Sequence, residues 1–158
     1  MPVRLALSVH AAEDALRSLL MPVNERYPLA DVLEAARAFY ERKRRRVFVE
    51  YVMLAGVNDR YDQALALAQA LAPRGAERNA IFKVNLIPYN PTSSPFEGSG
   101  RESIRAFRAA LESRGIPATV RLTRGRDIDA ACGQLAAAAA SPSRAPSRVR
   151  LARPAADR

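Results

Sequence analysis

One short stretch limits the folds open to this chain. Residues 47 to 54, VFVEYVML, form an almost unbroken apolar run, broken only by Glu50. The run has the length of a strand and is too short for a typical helix. Segments with helical spacing flank it. Pro28 opens one, running to about Arg42, with Leu29, Val32, Leu33, Ala36 and Tyr40 in register. Residues 61 to 72, YDQALALAQALA, form the other. A strand apolar on both sides, set between helices, predicts a parallel sheet covered on both faces.

The rest of the chain repeats that alternation. Val3 to Val9 reads as a strand. Ala12 to Leu20 reads as a short helix with Leu16, Leu19 and Leu20 on one face. Gly56 to Asp59 turns the chain. Ile81 to Ile87 is a third strand, closed by Pro88, and a loop rich in Pro, Ser and Gly runs from Tyr89 to Gly100. Residues 101 to 114 are helical, with Ile104, Phe107, Ala110 and Leu111 inward and Gly115 as the cap. Ala118 to Leu122 is a last strand and Asp127 to Ala139 a last helix. Strands joined by helical crossovers run parallel with right-handed connections. Four strands are too few to close a barrel. They fit either a small open α/β sheet or part of a larger barrel. The chain enters its first strand at once, which predicts a bare apolar edge and a missing N-terminal half.

Composition narrows the function. There is one cysteine, Cys132, so no internal disulfide framework exists and a reducing compartment is favoured. Nothing resembles a membrane span or a signal peptide. The net charge is +9. The segment from Ser141 to Arg158 has five arginines and one aspartate, with Pro and Ser but no periodicity, and is expected to be a disordered basic tail. The expected division is therefore 1–140 and 141–158. Basic excess in both parts suits a polyanionic partner, and equally a solvated Arg-rich surface.

In parallel α/β folds ligands sit beyond the carboxyl ends of the strands. That rule selects Ser8, Val9 and His10, then Tyr89 and Asn90, then Arg121, Thr123 and Arg124 with the cysteine segment behind them. Each has a plain alternative. His10 can be a turn or core residue, and Asn90 can merely start a turn. One histidine and one cysteine cannot by themselves build a zinc site. Glu50, inside a strand, needs either a partner or a ligand cavity. The run Arg42 to Arg46 is a solvated turn or a phosphate contact. Cys132 is either a small buried hydrophobe or a nucleophile; its neighbours Ala130, Ala131 and Gly133 would leave room for a bound molecule, and nearby arginines favour its thiolate.

Five stretches carry a resemblance: LALSVHA (5 to 11), LMPVNERYPL (20 to 29), VEYVMLAGVND (49 to 59), KVNLIPYNP (83 to 91) and TRGRDIDAACGQL (123 to 135). In this order and spacing they resemble the C-terminal half of the radical-SAM adenine C2-methyltransferases of 23S ribosomal RNA. The resemblance covers about residues 3 to 136 and leaves out the tail. It implies the C-terminal part of a partial (β/α) radical-SAM barrel. It implies contacts to S-adenosylmethionine from Ser8, Val9, His10 and Asn90, and an S-methylated intermediate on Cys132. It also implies a cytoplasmic enzyme acting on 23S rRNA, with tRNA a further candidate substrate. The family's 4Fe-4S cluster needs three cysteines in a CxxxCxxC loop, and this sequence has none of them, nor a resolving second cysteine. The expectation is a truncated product or one half of a split enzyme, inactive alone, whose separate N-terminal half carries the cluster. The alternative is a non-catalytic RNA-binding or interaction remnant.

Overall fold

The computed structural model describes residues 3–72, 79, 81–91 and 94–121. Cys132, the expected helix from Asp127 and the basic tail lie outside these residues. The described chain folds as β1 (Ala6–Ser8), α1 (Asp14–Leu20), a 3₁₀ turn (Pro22–Glu25), α2 (Leu29–Lys43), β2 (Val47–Met53), α3 (Tyr61–Leu71), β3 (Phe82–Pro88), α4 (Arg101–Ser113) and β4 (Ala118–Val120). The strands form one sheet in the order β1-β2-β3-β4, every pair parallel. Spatial order equals chain order, so each right-handed crossover steps the same way and the crossing helices share one face. This is the winding of a barrel wall, unlike that of a doubly wound sheet.

The core lies under that face. Val47, Val49, Tyr51 and Met53 of β2 alternate inward with Phe82, Val84 and Leu86 of β3. They meet Leu29, Leu33 and Ala36 of α2, Leu67 and Leu71 of α3, and Phe107 and Leu111 of α4. The Tyr51 and Phe107 rings pack at 5.0 Å between centroids. Among the described residues the opposite face is half-covered at Phe48, Glu50, Lys83, Asn85 and Thr119. Towards the carboxyl ends that face is sealed by a second apolar group, in which Val52 and Ile87 join Leu20, Met21, Leu54 and Tyr89.

Element ends follow local chemistry. α4 ends in a Schellman motif: Gly115, at φ 76°, donates to the Glu112 carbonyl at 3.0 Å, and buried Ile116 donates to Leu111 at 3.0 Å. α2 ends on Arg44 in the left-handed region, with Arg42 and Lys43 in its last turn, where cations suit the helix dipole. Two expectations fail at α1. It begins at Asp14, and Leu19 is 78% exposed. The 3₁₀ turn that follows sends the chain directly into α2, and α1 buries Arg17 and Leu20, with Leu16 half-buried. No helix among the described residues is long and apolar enough to cross a membrane.

Candidate functional site

The carboxyl end of β1 is a tight reversal. The Ala11 N–H returns to the Val9 carbonyl at 2.8 Å across His10, whose φ is 59°. Such an i to i+2 closure with positive φ is rare and strained. It persists because its surroundings hold it. Val9 is fully buried and donates to the Glu50 carbonyl at 3.0 Å. The His10 ring is 7% exposed, and its Nδ1 accepts the Val52 N–H at 3.0 Å. Burial, and then the Arg17 guanidinium, push its pKa down to about 4. The ring is therefore neutral near pH 7, as its accepting Nδ1 requires. His10 thus fastens β1 to β2, and of the expected cofactor contacts around it only Ser8 is exposed.

Two buried asparagines that the sequence reading passed over complete this frame. Asn58 is fully buried. Its Oδ1 accepts the Leu54 N–H at 2.8 Å, and its Nδ2 donates to the His10 and Val52 carbonyls at 2.8 and 2.7 Å. One amide thereby satisfies three backbone groups, two at the end of β2 and one in the reversal after β1. Asn24 donates from Nδ2 to the Asp14 carboxylate at 3.0 Å and to Ser18 at 2.9 Å, while its Oδ1 accepts from Arg17. Arg17 also reaches the Ser8 carbonyl at 3.3 Å, tying the 3₁₀ turn to the end of β1. Turn asparagines following apolar runs, as in GVND and PVNE, were the available signal.

At the end of β3, Tyr89 is buried with its hydroxyl against Ser94, and Asn90 next to it is exposed. Gly98 pairs with Leu54 and passes so close that a Cβ there would lie 2.2 Å from the Tyr89 carbonyl oxygen. Beyond β3 and β4 lies a cavity of about 480 Å³, lined by Pro88, Ser99, Ile104 and Val120 and by the cations Arg101, Arg105 and Arg108. Arg121 leaves β4 exposed, its N–H bonded to the Leu86 carbonyl at 2.8 Å. The Arg42 to Arg46 run stands at the amino end of β2, the far end of the sheet from these residues.

Among the described residues no arginine pairs with Glu50. Its Oε1 accepts the Asn85 amide at 2.8 Å, and Asn85 Oδ1 accepts the Thr119 hydroxyl at 2.8 Å. Ser8, Asn85 and Glu50 are register neighbours on the half-covered face. The structure therefore gathers Ser8, Val9, His10 and Asn90 at one end of the sheet, two of them buried and two exposed; Cys132, Thr123 and Arg124 lie outside the described residues.

A parallel sheet wound in one direction is a fold that this chain shares with solved structures. A radical SAM methyltransferase from Sphaerobacter thermophilus superposes with a TM-score of 0.75 at 48% identity, covering 85% of this chain and 38% of that one. A domain of a pyruvate-formate lyase-activating enzyme from Bacteroides vulgatus shares the fold alone, with a TM-score of 0.57 at 16% identity over 75% of this chain and 66% of that one. No family model matches the chain. Among curated proteins, the "Probable dual-specificity RNA methyltransferase RlmN" of Chloroflexus aurantiacus is 52% identical over 140 residues, 86% of this chain and 36% of that protein. The dual-specificity RNA methyltransferase RlmN of an Anaeromyxobacter species is 48% identical over 137 residues, 86% of this chain and 35% of that protein. The chain spans about a third of the length of these relatives. It is homologous to the C-terminal portion of the dual-specificity RNA methyltransferases.

Proposed function

We propose that this chain supplies the cofactor-facing and methyl-carrying portion of an RNA adenine C2-methyltransferase of the radical-SAM type. One observation carries the reading: identity near 50% to RNA methyltransferases across 137 to 140 residues. Ser8 and Asn90, exposed at the strand ends, touch S-adenosylmethionine, while Val9 and His10 hold that edge in shape. The cofactor supplies the methyl group. Cys132 would accept it as a thioether, its sulfur displacing S-adenosylhomocysteine, and present it to the base; its sequence neighbours Ala130, Ala131 and Gly133 are small. The substrate is 23S rRNA, with tRNA as a second substrate, and the site of action is the cytoplasm. Arg101, Arg105 and Arg108 around the cavity offer contacts to phosphate.

The iron–sulfur cluster does not fit this chain. One cysteine is present, and among the described residues no group of three potential metal ligands occurs. The cluster ligands belong to a complementary portion, and the chain by itself is inactive. Joined to that portion from an RlmN relative, it should methylate RNA. Cys132→Ala should abolish turnover, and mass spectrometry should find the methyl group on Cys132. A methyl group on another residue, or full turnover in C132A, would overturn the reading. RNA binding without any turnover in the joined protein would favour a non-catalytic RNA-binding remnant.

A further inference from the structure

We infer that Glu50 is an additional cofactor-contacting residue, whose free carboxylate oxygen accepts a hydrogen from the ribose hydroxyls or the ammonium group of S-adenosylmethionine. The inference rests on the proposed cofactor reading and extends it to a half-buried residue inside a strand.

The geometry has a direction. The Thr119 hydroxyl donates to Asn85, and the Asn85 amide donates to Glu50 Oε1. This relay fixes which way the amide points and leaves Oε2 as its accepting end. Oε2 is buried and, among the described residues, has no hydrogen-bond partner. A carboxylate oxygen out of water and without a donor is costly, and native structures tolerate it where something else supplies the donor. Ser8, the exposed cofactor candidate, is the register neighbour of Glu50 on β1 and shares its face. A ligand lying along Ser8 therefore passes the free oxygen of Glu50. An ammonium or a ribose diol matches this acceptor; a carboxylate or phosphate would be repelled by it.

A carboxylate kept for a ligand differs from a structural one in its effect on stability. Glu50→Gln keeps the shape and the acceptor for Asn85 but removes the buried charge. A ligand-facing role predicts a melting temperature for E50Q equal to, or roughly 2–4 °C above, that of the unchanged chain. Calorimetric titration with S-adenosylhomocysteine should then show E50Q binding at least tenfold more weakly. Methylthioadenosine, which keeps the ribose and lacks the ammonium, separates the two donors. A matching loss for both probes assigns the ribose, and a loss for S-adenosylhomocysteine alone assigns the ammonium. Should E50Q fail to fold, Thr119→Val keeps the carboxylate and loosens the relay, and a threefold loss of affinity is expected. A lowered melting temperature in folded E50Q, or affinity unchanged by the substitution, overturns the role of Glu50 and leaves the cofactor reading standing. No binding of either probe to the unchanged chain overturns the cofactor reading itself, and the role of Glu50 with it.

Discussion

His10 and Asn58 determine how the strand ends are presented. His10 is held neutral in the fold with a pKa of about 4, against an ordinary value of 6.5. Between those values the unfolded chain binds the extra proton, so stability rises with pH. The contribution is complete above pH 6.5 and is lost as pH falls from there towards 4. The span corresponds to roughly 3 kcal/mol, an upper figure for a buried ring. Urea unfolding at a series of pH values should show this slope. In His10→Asn, which tolerates the positive φ, the slope over that window should flatten, and an unchanged slope would assign it elsewhere. Asn58→Ala leaves one buried N–H and two buried carbonyls without their partner. It should cost about 2–4 kcal/mol, read as a lower urea midpoint. A loss under ~0.5 kcal/mol would mean that water replaces the amide.

The elements were legible in sequence because their signals are local. The helices at α2, α3 and α4 follow the 3.6-residue spacing of Leu29–Leu33–Ala36, Ala64–Leu67–Leu71 and Ile104–Phe107–Leu111. Gly115 was readable as a cap since its positive φ is a property of one residue. Leu19 misled because helical spacing allows several faces, and packing against the 3₁₀ turn selected only one. Gly98 was not readable at all. Its close approach to Tyr89 is a contact between two loop strands, and nothing adjacent to it in sequence announces it. Gly98→Ala should push the 94–100 loop off the end of β2 and cost roughly 2–3 kcal/mol, since the obstacle is backbone rather than a movable side chain. Gly100→Ala, with open space at its Cβ position, is the matched control. Equal stability of the two variants would show that the loop shifts freely.

At the scale of the molecule, charge is the main lever. The two ends of the sheet both carry arginines: Arg101, Arg105, Arg108 and Arg121 near the carboxyl ends, and Arg42, Arg44 and Arg45 at the other. RNA binding by the chain should be weak and insensitive to sequence. For three or four phosphate contacts, affinity should fall on the order of 100-fold between ~50 and ~200 mM salt. Arg101→Ala with Arg121→Ala should lower both affinity and salt slope more than Arg44→Ala with Arg45→Ala, because only the first pair borders the site. Fluorescence anisotropy with a short RNA decides it. Equal losses for the two pairs would mean that binding is spread over the whole surface.

The sequence alone determined the alternation of strands and helices, the parallel sheet that alternation requires, and the cluster of polar residues at its carboxyl ends. These follow from periodicity and from connections too long for hairpins, both of which are local. Its short motifs also carried the resemblance to the RNA methyltransferases. Tertiary structure decided the surroundings of each candidate residue. Val9 and His10 turned inward while Ser8 and Asn90 stayed at the surface, because the reversal at His10 is closed by an asparagine 48 residues further on. Glu50 found Asn85 and Thr119 instead of an arginine, because strand register, set by packing across the whole sheet, chooses which side chains meet. Residue types state which bonds a side chain can make, and only the folded chain states which partners come within reach.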